Sequence, residues 1–273
     1  MKTSIATVSI AGSLREKITA IARAGFDGLE IFENDFVASD LSPAAFRSTL
    51  ADHGLTLDLY QPFRDFEGVG AEQLAANLER AKGKFALMNQ LGVDTILACS
   101  NVGTAVEHND QLFIDQLGTL AEVAAEFGVK VAYEALAWGR FVSTYDHAWD
   151  LVRSVEHPNL GVCLDSFHIL SRGSSLDTID QIPGEKIFFL QLADAPMMSL
   201  DVLSWSRHHR LFPGEGGWDI PDFVHRVLRA GYTGPLSLEI FNDVYRQGSP
   251  SVTARDGHRS LLRRDCRTSV YNG

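Results

Sequence analysis

The sequence predicts a single-domain α/β protein folded as a closed (β/α)8 barrel. Three observations carry this expectation. Eight β-rich runs alternate with eight helical runs over 273 residues, the pattern of parallel strands wrapped by helices. Five of the helical runs end in Gly followed by an apolar residue, just ahead of a β-run. The segment after the first β-run, Ala11-Gly12-Ser13-Leu14, is not the Gly-rich phosphate loop that an open doubly wound sheet places there.

The first β-run covers residues 4–10, and a helix over 14–24 follows, opened by Ser13 and Glu16 as a capping box. Ala24-Gly25-Phe26 closes it ahead of a β-run at 29–32. The next helix, 42–53, carries Pro43 at its first position and ends in His53-Gly54-Leu55 before the run at 57–60. A helix over 72–91 ends in Leu91-Gly92-Val93 ahead of 95–97, and one over 110–127 leads through Gly128-Val129 into 131–133. Helix 145–154 precedes a β-run at 160–164, and a weaker helical segment at 175–181 precedes another at 187–192. Helix 220–230 closes through Gly231-Tyr232 into the last β-run, 236–238, and a final helix covers about 251–264. Gly just past a helix end takes the left-handed conformation at little cost, which turns the chain into a buried strand. No linker or low-complexity tract intervenes, so 1–273 reads as one catalytic domain, with the tail after about residue 260 fitting least well.

Composition narrows the function. Hydrophobic residues at 45% and charged residues at 22% are globular values. Lys and Arg number 24 against 35 Asp and Glu, a net charge of −11 that repels phosphate backbones, so no nucleic-acid partner is expected. Cys99, Cys163 and Cys266 are odd in number and lack metal-type spacing, which suits a reducing compartment. Neither a signal-peptide pattern nor a run of about 18 apolar residues is present. A cytoplasmic protein with no membrane partner is expected.

In a barrel the chemistry lies at the C-terminal strand ends. Four polar residues close β-runs there: Glu134, Asp165, Gln191 and Glu239. The residues two before them, Ala132, Cys163, Phe189 and Ser237, share their face, and three of these are small enough to leave room for a ligand. Three carboxylates converging in a poorly solvated cavity repel one another, and one divalent cation resolves the conflict. The all-oxygen set points to Mg²⁺, Mn²⁺ or Co²⁺ rather than to a cysteine-bound zinc. His168, on a loop three residues past Asp165, is placed over the metal as a base of near-neutral pKa. Arg64, after the third β-run, and Arg210, after the seventh, suit a bidentate grip on a carboxylate or phosphate, whereas Arg207 reads as solvated. Pro213-Gly214-Glu215-Gly216-Gly217 reads as a shaping turn, since Glu215 repels an anion. His53, His108, His147, His157, His225 and His258 lie away from strand ends and read as solvated. Arg255, Arg259, Arg263, Arg264 and Arg267 are helix-spaced, a solvated face or the interface of a homo-oligomer.

At these residues the chain resembles a known family. Gly25-Phe26-Asp27-Gly28-Leu29-Glu30-Ile31-Phe32, the Glu/Asp/Gln/Glu strand ends and Pro213-Gly214-Glu215-Gly216 are similar to the xylose-isomerase-like TIM-barrel superfamily. Residues 57–68, Cys163-Leu164-Asp165-Ser166-Phe167-His168, residues 189–195 and residues 203–210 resemble its bacterial 3-dehydroshikimate dehydratases. The resemblance implies a metal-dependent lyase of quinate and shikimate catabolism that dehydrates 3-dehydroshikimate to protocatechuate. It implies Glu134, Asp165, Gln191 and Glu239 as metal ligands and a small carboxylated hydroxyketone as substrate. On this reading His168 removes a ring proton and passes it to the leaving hydroxyl, while Arg64, Arg210, Tyr60 and Ser206 bind substrate. Some members continue into a dioxygenase-like domain, which this sequence does not show, and beyond Ser260 the chain departs from the family pattern. The rival is a ketose or hydroxypyruvate isomerase or epimerase on the same barrel; Gln191, where such enzymes offer His, and the paired arginines count against it. A non-catalytic binding barrel is the alternative from another class, and the intact acid set with its histidine counts against that.

Overall fold

The computed structural model describes residues 1–262. In chain order the elements are β1 (Thr3–Ile5), α1 (Leu14–Ala24), β2 (Gly28–Phe32), α2 (Glu33–Val37), α3 (Pro43–Asp52), β3 (Thr56–Phe63), α4 (Ala71–Leu91), β4 (Thr95–Cys99), α5 (Asp110–Glu126), β5 (Lys130–Glu134) and α6 (Tyr145–Val155). There follow β6 (Leu160–Asp165), α7 (Ser166–Leu170), β7 (Ile187–Leu192), α8 (Val202–His208), α9 (Ile220–Arg229), β8 (Leu236–Leu238), α10 (Asp243–Gln247) and α11 (Pro250–Leu262). All eight strands run parallel in the order β1-β8-β7-β6-β5-β4-β3-β2. A parallel bridge between Ala6 and Glu30 joins the two ends, so the sheet closes into the expected barrel.

Local chemistry explains the element ends. Ser13 and Glu16 form the reciprocal capping box, and Ser42 caps α3 ahead of Pro43. The five glycines that follow helices, Gly25, Gly54, Gly92, Gly128 and Gly231, all have positive φ, between 68° and 100°, which a side chain would strain. Apolar packing forms two layers. One lies between strands and helices; the other fills the barrel with Leu59, Leu97, Cys99, Ala132, Cys163 and Phe189.

Four elements differ from the sequence expectation. Only Thr3–Ile5 of the first β-run pairs as a strand, because β8 offers three residues to pair with and the chain then turns through a 3-10 segment at Thr7–Ser9. The segment before β7 is a 3-10 turn at Asp177–Gln181 rather than a helix. Residues 166–170 and 202–208, read as loops, are the short helices α7 and α8, each capped by an aspartate, Asp165 and Asp201. The tail residues Arg263, Arg264, Cys266 and Arg267 lie outside the described residues. No helix among the described residues is long and apolar enough to cross a membrane.

Candidate metal centre and active site

The strand register brings the four predicted ligands together. Asp165 and Gln191 are direct neighbours across β6 and β7, and Gln191 neighbours Ser237 of β8, two residues before Glu239. Glu134 ends β5 beside Cys99 of β4. All four side chains are buried at the C-terminal mouth of the barrel. Asp165 Oδ1 is held by the Phe167 N–H at 2.6 Å, leaving Oδ2 to face the centre.

His168, on α7, lies over this centre. Its Nε2 is 3.6 Å from Asp165 Oδ2 and 4.0 Å from Glu134 Oε2. Its Nδ1 accepts the Ala137 N–H at 3.1 Å, and its Nε2 lies 3.3 Å from Arg210 Nη2, which is also a donor, so each ring nitrogen faces a hydrogen. Glu134, Asp165 and His168 bring ligand atoms within 4.8 Å of one another, a group that could hold a divalent cation.

The electrostatics fit a cation. Burial first, then the charges of Asp165 and Glu239, push the Glu134 carboxyl well above the usual carboxylate range. Burial likewise lifts Asp165 to about 6, against the pull of Arg210. His168 is driven well below the usual imidazole range by burial and by the guanidinium of Arg210. Among the described residues, Glu134 Oε1 is buried without a hydrogen-bond partner, an arrangement that costs free energy unless a cation occupies the lone pairs.

Glu30 and Gln61 complete the centre, and sequence reading had not assigned them to it. Gln191 Nε2 donates to Glu30 Oε2 at 2.6 Å, and Gln61 Nε2 donates to the same oxygen at 2.6 Å. The Ser237 hydroxyl bonds to Glu30 Oε1. With its NH₂ engaged, the Gln191 carbonyl oxygen is the end left to accept, and it lies 3.7 Å from Cys163 Sγ. The signal for Glu30 was present: a lone carboxylate inside the buried run Leu29-Glu30-Ile31-Phe32, where an unpartnered charge is not tolerated.

The arginines divide differently from the sequence reading. Arg210 is 1% exposed and donates through Nη1 to Asp165 Oδ2 at 2.8 Å and Glu239 Oε2 at 3.0 Å. Its Nε and Nη2 donate to Ser206 Oγ at 3.3 and 3.0 Å. Arg210 thus balances the acids, and Ser206 anchors Arg210. Arg207, expected to be solvated, is half-buried, with its guanidinium 5.5 Å from the Trp138 ring and 4.9 Å from that of Phe241. Arg64 and Arg207 line the narrow passage to the acids and, with Trp138 and Ser204, an outer cavity of about 510 Å³. Burial and the nearby Arg64 charge loosen the Arg207 proton from its ordinary value, as expected for two neighbouring cations.

Tyr60 is not brought to the site. Leu59 packs in the barrel interior and Gln61 reaches Glu30, so strand alternation turns Tyr60 outward into the layer between strands and helices. There its hydroxyl donates to Glu33 Oε1 at 2.7 Å.

Comparison with known proteins agrees with this geometry. The model of the xylose isomerase-like TIM barrel family matches residues 18–264. A 3-dehydroshikimate dehydratase of Pseudomonas aeruginosa is 55% identical over 96% of this chain and 41% of its own length. One of Neurospora crassa is 30% identical over 88% of this chain and 84% of its own. A solved xylose isomerase-like TIM barrel/4-hydroxyphenylpyruvate dioxygenase fusion protein superposes with a TM-score of 0.94 at 53% identity, covering 96% of this chain and 42% of that one. The chain thus spans about two fifths of the length of the bacterial relative and of the fusion protein.

Proposed function

The chain belongs to the xylose isomerase-like TIM barrel family, and from that premise we propose that it dehydrates 3-dehydroshikimate to protocatechuate. The observation that carries the reading is the 55% identity to a 3-dehydroshikimate dehydratase along 96% of the chain. Four buried strand-end oxygen donors behind two half-buried arginines support it, since this arrangement suits a hydroxyketone that also bears a carboxylate.

Glu134, Asp165, Gln191 and Glu239 would hold one divalent cation, Mg²⁺, Mn²⁺ or Co²⁺ by the hardness of the donors. Bound there, such an ion supplies Lewis-acid polarisation of the substrate ketone. Glu30 and Gln61 orient the Gln191 amide. Arg64 and Arg207 grip the substrate carboxylate, while Arg210, held by Ser206, keeps Asp165 and Glu239 in position. His168 is the base: Nε2 takes the ring proton and returns it to the departing hydroxyl, so that water is lost. Uptake at Nε2 requires the ring's own hydrogen to sit on Nδ1, at the cost of the Ala137 bond. The same loss makes the protonated ring a ready donor. Trp138 and Phe241 narrow the passage and limit bulk water near the reacting groups.

The test is absorbance of metal-loaded protein mixed with 3-dehydroshikimate, repeated after chelation. An aromatic product signal that disappears on chelation and returns with Mg²⁺, Mn²⁺ or Co²⁺ is expected. Retention of bound metal with no product from this substrate would overturn the reading.

A further inference from the structure

A second set of metal-ligating side chains stands at the rim of the barrel mouth, apart from the strand-end acids. We propose that His108, Asp110 and His147 form a separate site for one borderline divalent ion such as Zn²⁺, and that the ion fastens the β4–α5 loop to α6. The Nε2 atoms of both histidines converge on one oxygen, Asp110 Oδ1: His147 at 3.0 Å and His108 at 3.7 Å. Hydrogen bonding accounts for the first contact but not for the second, which is too long. All three residues offer a ligand atom within 4.8 Å of the others. Tetrahedral zinc with bonds of about 2.0–2.2 Å places its ligand atoms roughly 3.3 Å apart, between the two observed separations. Two imidazoles and one carboxylate select Zn²⁺, Ni²⁺ or Cu²⁺ over Mg²⁺, the reverse of the all-oxygen set inside the barrel.

The ligands are already positioned. The His108 ring stacks on Phe141, with centroids 5.4 Å apart and planes at 10°, and lies near Phe113 at 6.4 Å and 16°. Asp110 is the first residue of α5, and His147 lies in the first turn of α6. Sequence reading took both histidines as solvated because they lie away from strand ends; they are 39 positions apart, and the adjacency of α5 and α6 brings them together. The β4–α5 loop that carries His108 also carries Ser100 and Val102, which wall the outer cavity, so an ion here steadies one side of the substrate entrance.

Equilibrium dialysis of metal-free protein against Zn²⁺ tests this. His147→Ala, and separately His108→Ala, should bind one equivalent fewer than the native chain, with folding checked by circular dichroism. Glu134→Gln with Asp165→Asn should retain the rim equivalent, and Zn²⁺ should still shift the ring resonances of His108 and His147 in that variant. Undiminished stoichiometry in both histidine variants, or a native chain whose His108 and His147 resonances ignore Zn²⁺, would overturn the proposal.

Discussion

Gln191 donates its side-chain N–H to Glu30 Oε2 at 2.6 Å, across the barrel from β7 to β2. That bond occupies the nitrogen end of the Gln191 amide and leaves the oxygen, 3.7 Å from Cys163 Sγ, as the end able to act as a ligand. A neutral amide holds a cation through its oxygen, and without Glu30 the Gln191 nitrogen loses the acceptor that fixes its orientation.

Glu30→Ala is therefore expected to weaken metal binding by about 10–100-fold, the usual consequence of losing a partner that orients a ligand. Burial and the charge of Glu239 push the Glu30 carboxyl well above its usual range. Glu30→Gln mimics that neutral form and should bind metal within a few-fold of the native chain. Calorimetric titration of both variants checks the pair, and equal affinities in all three proteins would remove Glu30 from the centre.

Protons and cation should compete for the acids. Asp165 is lifted to about 6 and Glu134 is raised further above the carboxylate range. A carboxyl whose pKa is raised on folding stabilises the folded chain while it is protonated, and that contribution is lost as pH rises through the folded value. The metal-free protein should thus lose thermal stability from about pH 4 toward and beyond pH 6, while metal affinity climbs over the same window. Melting curves with chelator and with excess Mn²⁺ should diverge as pH increases; parallel curves would contradict the placement of the ion at these acids.

Arg207→Ala should raise KM for the carboxylated substrate by about 10–100-fold, matching the roughly 1.5–3 kcal/mol of a hydrogen bond to a charged group. Since the side chain lies at the entrance rather than among the acids, metal affinity should stay unchanged. Steady-state kinetics beside metal titration separates the two effects. A fall in kcat at constant KM would place Arg207 in the chemistry instead.

His168→Ala should keep the metal and lose about 10²–10⁴-fold in kcat, the range for removing a general acid–base group. Native turnover in His168→Ala would remove it from proton transfer.

Much of the site was legible because strand ends announce themselves: Glu134, Asp165, Gln191 and Glu239 each interrupt an apolar run at the same end of its strand. Tyr60 was misplaced because its neighbours in sequence are site residues, yet strand alternation turns it to the other face. Arg207 was read as solvated because α8 was not foreseen: the helix at Val202–His208 buries Ser206 and brings Arg207 against Trp138 and Phe241.

The sequence by itself determined the barrel, through period-2 and helical patterns punctuated by glycines at positive φ, and it determined the acid set, since local burial dictates where a charge can end a strand. Tertiary structure alone decided which side chain neutralises which. The pairing of Glu30 with Gln191, the Arg210 bonds to Asp165 and Glu239, and the meeting of His108 with His147 all join segments far apart in the chain. Their partners are set by barrel closure and helix packing, which local sequence patterns do not encode.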